Sequence, residues 1–520
     1  MSFTQAFLLF FLAVQLIHFL GTWKLYVKAG RKAWEALVPI YNAFILMRII
    51  NRPKEWYWVI LLFIPIVNLI VFPVIWVETI RSFGRTDRAE TVLVVLTLGL
   101  YIFYVNYGLD VAYIHERSLK PRSTAGEWVA SILFAVVAAT LVHTYVMQPF
   151  VIPTSSLEKT LLVGDFLMVS KIHYGARTPM TPISLPMVHD EIPVTGIQSY
   201  VKSPQLPYFR FPGFESIERN DIVVFNWPAD TLTVITDAKS KTKYKPLDKR
   251  SNYVKRCVGL PGDQLEVRDG YVYINGVKNV LPDRTKLQFS YFVQTKGRGF
   301  NKQYLHDRYD ITDGYYSTKQ PGVYYFSSIT DKAAAAFVNH PNVAGVEKAI
   351  TPKGQREESI FPHSDKYNWN NMQFGPITLP AKGMTIDVNM DNIPLYKRAI
   401  SEYEGNNLTV KDNQILIDGE VITSYTFKQD YYWMMGDNRG NSQDSRSWGF
   451  VPFDHVLGKP VFVWMSWDGD ASGLNKIRWN RLFTTVSGKG ETVSYFPYFL
   501  IALAGWFGFS YFRKRKKANK

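Results

Sequence analysis

Long apolar runs dominate residues 1–147 and 494–520, whereas residues 148–493 are polar, aromatic and rich in turn-forming residues. A helix needs about 20 apolar residues to cross the hydrocarbon core of a bilayer. The long runs predict five membrane spans, which are Phe3–Leu20, Trp56–Val77, Thr91–Leu109, Trp128–Met147 and Tyr495–Phe512. A shorter apolar piece, Ala36–Met47, is broken by Pro39 and is expected to lie in the interface or to be re-entrant.

Basic residues beside these runs predict the orientation of the chain, because Lys and Arg concentrate in short cytoplasmic loops. They cluster in the tail RKRKKANK, in the loop after the first span, and at Arg117, Lys120 and Arg122. Five crossings with a cytoplasmic C-terminus put the N-terminus and residues 148–493 outside, in a multi-pass protein of the cytoplasmic (inner) membrane. The same count puts the loop Glu78–Glu90 outside, although its three arginines weakly oppose that placement.

The first run lacks a basic segment before it and is followed by the cluster Lys24–Lys32. This is the wrong polarity for a cleaved signal peptide, so we expect a retained helix.

The region outside the membrane has the pattern of a β domain. Asp221–Trp227 is a short apolar run, and two alternating segments surround Asp269-Gly270, a strong hairpin signal. Leu408–Ile422 repeats that pattern around Asp412-Asn413. The stretch Pro282–Tyr403 has few clear strands and is interpreted as an insertion, with a short helix at Ala333–Val338. The Pro-rich run 179–212 is expected to be an extended excursion.

The predicted fold is therefore N-terminal transmembrane helices, a mainly β domain with an insertion, and a C-terminal transmembrane helix. The expected divisions are 1–126 with three spans, 127–147 as an anchoring span, 148–493 as the extracytoplasmic domain with its insertion at about 282–403, and 494–520 as the last span and basic tail.

Composition excludes several classes of function. The formal net charge is +15, but the basic residues flank apolar runs and form no stripe along one helix, so no nucleic-acid partner is predicted. The single cysteine, Cys257, excludes an intramolecular disulfide. Because no HxxxH or CxxC pair is present, neither a metal nor another cofactor is predicted.

Three segments carry residues suited to nucleophilic catalysis. IPTSSLEKTLLVGDFLMVSK contains Ser156, YVKRCVGLPGD contains Lys255, and MMGDNRGNSQDSRSWGFVP follows near the C-terminal end of the domain. A serine needs an adjacent base, and no histidine lies in these segments. A lysine can serve when burial keeps it neutral, and Lys255 has apolar neighbours in a strand-like run. Each segment alone also fits a structural reading, as a solvated loop, a water-facing strand lysine or an ion-paired surface turn.

Together the three segments resemble the catalytic boxes of bacterial type I signal peptidases, which are membrane-anchored Ser-Lys serine proteases. The resemblance implies that Ser156 is the nucleophile, Lys255 the general base, and Ser442 the group that orients the Lys255 amine. It implies that the Thr154 hydroxyl completes the oxyanion hole with the Ser156 N–H. The remaining implied roles are an Asp437–Arg446 ion pair, support from Asp444, and small-residue substrate pockets lined by Phe150, Ile152 and Val254.

The chain departs from the family pattern at three positions. Leu157 stands where a methionine is usual and still supplies an apolar anchor, and Gly440 replaces a commonly acidic residue. Lys159 stands where a proline is usual and places a second ammonium three residues from Ser156. We expect Lys159, beside Glu158, to face headgroups or water and to remain charged. The resemblance does not account for the first three spans or for the insertion.

The expected function is a membrane-bound serine endopeptidase that removes signal peptides from exported preproteins, cutting after small residues at Ala-x-Ala sites. Its expected partners are signal peptides and the lipid bilayer, with the translocon as a further candidate. The alternative is a catalytically inactive membrane scaffold that binds peptides for the export machinery. The presence of Ser156, Lys255, Thr154 and Ser442 favours the enzyme over this scaffold. A soluble self-cleaving repressor with the same dyad is disfavoured by the predicted spans.

Overall fold

The computed structural model describes residues 3–121, 123–231, 244–297, 299–469 and 471–518. It divides into two compact units. The first contains Met1–His143 and Thr178–Pro207, and the second contains Thr144–Arg177 and Tyr208–Lys520.

The first unit is helical. Its helices are α1 (Phe3–Lys28), α2 (Tyr41–Ile49), α3 (Glu55–Phe63), α4 (Asn68–Ser82), α5 (Arg88–Leu96), α6 (Tyr101–Tyr107) and α7 (Thr124–Leu141). Two segments are long and apolar enough to cross a membrane, Gln5–Lys28 and Thr124–Val146, within the part of the chain that the structure describes. The predicted first and fourth spans are therefore confirmed as helices of the required length and composition. A third candidate arises only if α5 and α6 count as one span, and these two helices meet at a bend of 120°.

The predicted second span, Trp56–Val77, is wrong as a continuous crossing. It is divided between α3 and α4, because Pro65 cannot donate the backbone hydrogen bond that would continue α3. Arg52 Nη2 lies 3.5 Å from Glu78 Oε2, so the two ends of the segment meet. A straight helix of this length would hold its ends about 33 Å apart. The segment therefore turns back on itself.

The predicted third span, Thr91–Leu109, also turns back. α5 ends before Leu98 and Gly99, both of which have positive φ, and the chain reverses there. The N–H of Ile114 donates to the carbonyl of Ser82 over 3.0 Å, which brings the two ends of this stretch together. Apolar side chains of α1 to α6 pack into one core, including Leu25, Tyr26, Ile45, Met47, Val71, Ile80, Val94 and Val105.

The second unit is mainly β. Its first strands are β1 (Met147–Val151), β2 (Asp165–Ser170), β3 (Ile222–Asn226), β4 (Asn252–Gly259), β5 (Gln264–Arg268), β6 (Tyr271–Ile274) and β7 (Val277–Lys278). Four strands follow in the insertion, β8 (Gln288–Thr295), β9 (Tyr315–Ser317), β10 (Val323–Thr330) and β11 (Val343–Lys348). The remainder are β12 (Phe374–Thr378), β13 (Thr385–Asp387), β14 (Leu408–Lys411), β15 (Gln414–Ile417), β16 (Glu420–Val421), β17 (Ser424–Thr426), β18 (Tyr431–Met435), β19 (Val451–Pro452), β20 (Val456–Ser466) and β21 (Thr484–Thr485). The helices of this unit are α8 (Lys302–Tyr309), α9 (Asp331–Val338), α10 (Ile393–Arg398), α11 (Ser445–Trp448) and α12 (Phe496–Ala518).

The largest sheet runs in the order β1-β2-β20-β3-β4-β18-β19, with β21 paired to β20, and its strand pairs are antiparallel. It brings together strands from the beginning, middle and end of the unit. A second sheet, β12-β5-β6-β7, contains the first predicted hairpin, and β14-β15 form the second. Both hairpins are confirmed, with two-residue turns at Asp269-Gly270 and Asp412-Asn413 whose residues all have positive φ.

The insertion is more regular than its sequence suggests. The expectation of few strands is wrong, because β11-β8-β10-β9 form a sheet of their own, while the short helix predicted at Ala333–Val338 is confirmed within α9. Aromatic side chains fill its core, including Phe289, Tyr291, Phe300, Phe326 and Phe337. These aromatic strands alternate poorly between apolar and polar residues, so the period-2 signal is weak.

A helix forms over the predicted fifth span, as α12. It is not among the candidate membrane spans, and its Pro, Tyr, Trp and Gly residues lower its mean hydropathy. Its crossing of a membrane stays a prediction.

Candidate active site

Ser156 lies in a short turn that is anchored from below. After β1 the chain forms a 3₁₀ turn over Ser155–Leu157, and the fully buried Leu157 fixes the turn to an apolar cluster with Leu161 and Leu167. Ser156 itself is 7% exposed. The apolar anchor expected of Leu157 is therefore present.

Lys255 points from the centre of β4 to the Ser156 side chain. Its Nζ donates to Ser156 Oγ over 2.6 Å, and Lys255 is 3% exposed. The Tyr253 ring lies on the same side of the strand, with its centroid 5.4 Å from Nζ. Because side chains alternate along a strand, Arg256 points to the other face. The sheet thus joins two residues that lie far apart in the sequence.

Burial lowers the pKa of Lys255 to about 8, although the Asp444 and Asp437 carboxylates favour the charged amine. With this pKa, about a tenth of the Lys255 amines are neutral at pH 7 and about half at pH 8. In its neutral form the amine can accept the proton of the serine that it contacts.

The third segment, after β18, closes over the serine turn. The N–H of Asn438 donates to the Ser156 carbonyl over 3.1 Å, and its side-chain amide donates to the Ser155 carbonyl. A Cβ on Gly436 would collide with Ser442 Oγ and with the Ser156 carbonyl, so the close approach requires glycine.

Two buried ion pairs brace this segment, and they differ from the expected one. The Arg256 guanidinium binds both oxygens of Asp437 at 2.7 Å. Arg446 binds Asp444, with Nε–Oδ1 at 2.9 Å and Nη2–Oδ2 at 2.8 Å. The expected pairing of Asp437 with Arg446 is therefore wrong. Asp437 belongs to the arginine beside Lys255, which joins the second segment to the third.

Burial opposes ionisation of Asp444, but the Arg446 guanidinium and the Gly436 N–H hold the pKa of its carboxyl below the usual value. Asp444 is thus a fixed negative charge in the neighbourhood of the Lys255 amine.

The hydrogen bond expected between Ser442 and Lys255 is not formed. Ser442 Oγ is buried and has no hydrogen-bond partner within the described ranges. Thr154 is exposed at the start of the serine turn and makes no capping hydrogen bond with its side chain. The three predicted pocket residues lie together, because Phe150 and Val254 pack at the margin of the apolar cluster that contains Ile152.

Lys159 is not where the sequence led us to expect. Its side chain is 4% exposed, and its Nζ lies 2.8 Å from Asp310 Oδ1 in the insertion. It does not extend into bulk water, because the insertion covers and binds it. The position where the family usually has proline is thus a docking point for the insertion.

A second carboxylate of the insertion reaches the site. Asp313 Oδ2 accepts from Ser328 at 2.6 Å and from the side-chain amides of Asn438 and Asn441, each at 3.1 Å. Asn441 also donates to Ser155 Oγ over 3.2 Å. Asp313 is thereby connected to the turn that carries the candidate nucleophile.

Close packing against the insertion explains why a glycine stands at position 440. A Cβ there would collide with the Ser327 carbonyl and with Ser290 Oγ, both in the insertion sheet. The adjacent Arg439 N–H donates to the Gln288 carbonyl over 2.8 Å, and the Gln288 N–H donates to the Asp437 carbonyl over 3.0 Å. The insertion therefore pairs directly with the third segment.

The sequence analysis missed Arg256, Asn438, Asp310 and Asp313 as residues of the site. Arg256 and Asn438 lie within the quoted motifs, so their position beside the candidate catalytic residues was a usable signal. The two aspartates lie in the loop after α8, and nothing in their local sequence pointed to the site.

Comparison with known proteins defines the class of this enzyme. The family model described as "Signal peptidase, peptidase S26" matches residues 125–318 and 378–467, which is more than half of the chain. A family of unknown function, DUF5684, matches residues 34–116. The chain belongs to the signal peptidase S26 family, and it is a serine endopeptidase, a hydrolase.

Similar curated proteins are named signal peptidase I. That of Buchnera aphidicola (subsp. Acyrthosiphon pisum) is 24% identical over 65% of this chain and 75% of its own length. That of Haemophilus influenzae is 22% identical over 73% and 81%, and that of Rickettsia canadensis is 24% identical over 73% and 99%.

Proposed function

We propose that this protein removes signal peptides from exported preproteins with a Ser156–Lys255 dyad. The observation that carries the proposal is the 2.6 Å hydrogen bond between Lys255 Nζ and Ser156 Oγ, in a buried setting that lowers the pKa of the lysine to about 8. A neutral amine takes the hydroxyl proton as Ser156 Oγ attacks the scissile carbonyl. The resulting ammonium then gives that proton to the leaving amine, and water completes hydrolysis of the acyl-enzyme.

The oxyanion of the tetrahedral intermediate needs hydrogen-bond donors. We assign this role to the Ser156 N–H and the Thr154 hydroxyl, which begins the same turn. Ser442, whose Oγ lacks a partner within the described residues, is available to orient the Lys255 amine during the reaction. Asp437 and Asp444, held by Arg256 and Arg446, keep the third segment in place.

Selection for small residues at the cleavage site is assigned to Phe150, Ile152 and Val254. Their grouping beside Leu157, the residue after the nucleophile, supports this assignment. The segment Thr124–Val146 leads directly into β1, which suits a peptidase that works beside a membrane. We propose that the catalytic unit lies on the extracytoplasmic side of the cytoplasmic membrane, where anchoring raises the effective concentration of a membrane-borne substrate.

The test is cleavage of a preprotein with an Ala-x-Ala site by the purified full-length protein in detergent. Ser156→Ala should abolish cleavage, because it removes the attacking oxygen and leaves the buried turn intact. Ser155→Ala is the matched control and should keep most of the activity. The Ser155 Oγ contacts Asn441, whereas Lys255 contacts the Oγ of Ser156. Substantial cleavage by the Ser156→Ala protein would overturn the nucleophile assignment.

An inactive peptide-binding scaffold is the competing function. It is not favoured, because the family and the named relatives are peptidases.

A further inference from the structure

The helical unit contains a cluster of charges that the peptidase chemistry does not use. Glu78, at the end of α4, is buried and is contacted by three guanidinium groups. These belong to Arg52, Arg81 and Arg117, which come from three separate parts of the chain. In the described ranges no second carboxylate lies within ion-pair distance of these arginines. One negative charge therefore faces three positive charges.

The glutamate does not satisfy the arginines. Arg117 Nη2 binds Glu78 Oε2 closely, but Arg52 Nη2 and Arg81 Nη1 remain 3.5 Å from the carboxylate. Charge-assisted hydrogen bonds are usually about 2.7–2.9 Å long. The Nε–H groups of Arg52 and Arg117 are also buried with no acceptor among the residues that the structure describes. A buried donor without a partner is a place where a water or an ion can bind, and the excess of positive charge here favours an anion.

The chemistry of the cluster matches a phosphate group. A guanidinium presents two parallel N–H donors that bind phosphate oxygens in a bidentate manner. The Arg117 side chain is 9% exposed and is therefore held in place, while Arg52 is stacked on the Trp58 ring, with its guanidinium carbon 4.5 Å from the ring centroid. The donors are thus positioned before a ligand arrives.

The surroundings favour a lipid over a free ion. Trp56 and Tyr57, shortly after Arg52, are largely exposed, and so are Trp34 and Leu37. Exposed aromatic residues beside basic residues are typical of the level of the lipid headgroups. Both candidate spans, Gln5–Lys28 and Thr124–Val146, begin in this unit.

We infer that Arg52, Arg81 and Arg117 form a binding site for the phosphate of an anionic phospholipid. The site lies largely in the segment that matches a family of unknown function. It is independent of the serine peptidase site, and Glu78 occupies part of it when the lipid is absent.

The experiment measures lipid retained by the purified full-length protein. The protein is equilibrated in detergent with equal amounts of phosphatidylglycerol and phosphatidylcholine, and bound lipid is counted by native mass spectrometry. Wild type should retain at least tenfold more phosphatidylglycerol. The double variant Arg52→Gln/Arg117→Gln should lose that preference.

Arg48→Gln is the matched control, because Arg48 is exposed, pairs with Glu55 and lies close to Arg52 in the sequence. It should retain phosphatidylglycerol as wild type does. Cleavage of a soluble peptide should be unchanged in these variants, which checks that the β unit is folded, and circular dichroism checks that the helical unit is folded. Equal loss in Arg48→Gln and in the double variant would overturn the site, because charge alone would then explain retention.

Glu78→Gln separates a ligand site from a structural ion cluster, even if the arginine variants fail to fold. It removes the competing carboxylate and keeps all three guanidiniums, so phosphatidylglycerol retention should rise by several-fold. A fall in thermal stability without any gain in lipid would overturn the proposal.

The last measurement tests inorganic phosphate in place of a lipid. Stabilisation of wild type, and not of Arg117→Gln, by millimolar phosphate without any lipid preference would overturn the lipid assignment in favour of a free anion.

Discussion

Two lysines lie close to the serine turn, and their surroundings differ. Lys255 contacts Ser156 and has a pKa lowered to about 8 by burial, whereas Lys159 is occupied by Asp310. The amine of Lys159 therefore binds a carboxylate of the insertion, whereas the amine of Lys255 binds the serine hydroxyl. The sequence analysis set Lys159 aside as the base because it was expected to face water or headgroups. The structure favours Lys255 for a different reason, because Asp310 binds Lys159.

The pH dependence of activity should report on Lys255. Because the neutral Lys255 amine is the proposed base, kcat/KM should rise about tenfold between pH 7 and pH 9 and then level off, as expected for a group with a pKa near 8. The measurement is a pH–rate profile of wild type, Lys255→Met and Lys159→Met in one detergent.

Lys255→Met should be inactive at every pH. Lys159→Met should keep activity within about tenfold, and the rising limb should stay where it is in wild type. An active Lys255→Met protein, or a rising limb displaced in Lys159→Met, would show that Lys255 is not the base.

Thr154 is exposed at the start of the turn, and its proposed role depends on its hydroxyl. Thr154→Val keeps the shape and removes the donor, so kcat should fall about a hundredfold with a smaller change in KM, the scale of one lost oxyanion donor. Unchanged kcat would mean that backbone groups alone stabilise the oxyanion.

At the scale of elements, the insertion is joined to the site. Its strand β8 pairs with the third segment through Gln288, and its two aspartates reach Lys159, Asn438 and Asn441. These contacting residues lie just before residues 319–377, the stretch that the family match skips. The insertion therefore supports the turn that holds Ser156.

Removing the Asp313 carboxylate should loosen that turn. Asp313→Ala removes three hydrogen bonds to a carboxylate, each worth about 1.5–3 kcal/mol. We expect part of this loss, about 1.4 kcal/mol, to reach the reaction barrier, so kcat should fall by roughly tenfold while KM changes little. Asp307→Ala is the matched control, since Asp307 is exposed on α8 and contacts Gln303 and His306 on the same helix. A purely structural role would lower the melting temperature of Asp313→Ala without lowering kcat of the folded protein.

At the scale of the whole molecule, the two stretches that turn back reduce the expected number of membrane crossings without reversing the expected orientation. The stretches 52–78 and 82–114 both return to where they began, and we propose that neither contributes a crossing. Removing two crossings leaves the parity between the first and fourth predicted spans unchanged. The proposed orientation then puts Arg81, Arg85 and Arg88 on the cytoplasmic side, in agreement with the basic-residue rule.

Cysteine labelling of intact spheroplasts tests this topology. Cys257 is buried, so single cysteines introduced at exposed positions report their own location. With a membrane-impermeant maleimide, Lys489→Cys in the β unit should be labelled directly. Arg88→Cys should be labelled only after the membrane is opened. Direct labelling of Arg88→Cys would restore the crossing between Trp56 and Val77.

The sequence by itself determined what depends on local pattern. Hairpins at Asp269-Gly270 and Asp412-Asn413 follow from short-range turn chemistry, and the two long helices follow from unbroken apolar runs. The three motifs named the segments that meet at the site, because each carries its chemistry in consecutive residues.

Only the tertiary structure decided which of these residues touch. Asp437 pairs with Arg256 and not with Arg446, because the register of β4 with β18 sets the neighbours of each side chain. Asp310 and Asp313 reach the site because a separate sheet folds over it, and no local pattern encodes that contact. Two apolar runs of spanning length turn back, at Pro65 and at Gly99. The hydropathy pattern does not predict these reversals, because it measures burial and carries no information on where the two ends of a helix pair meet.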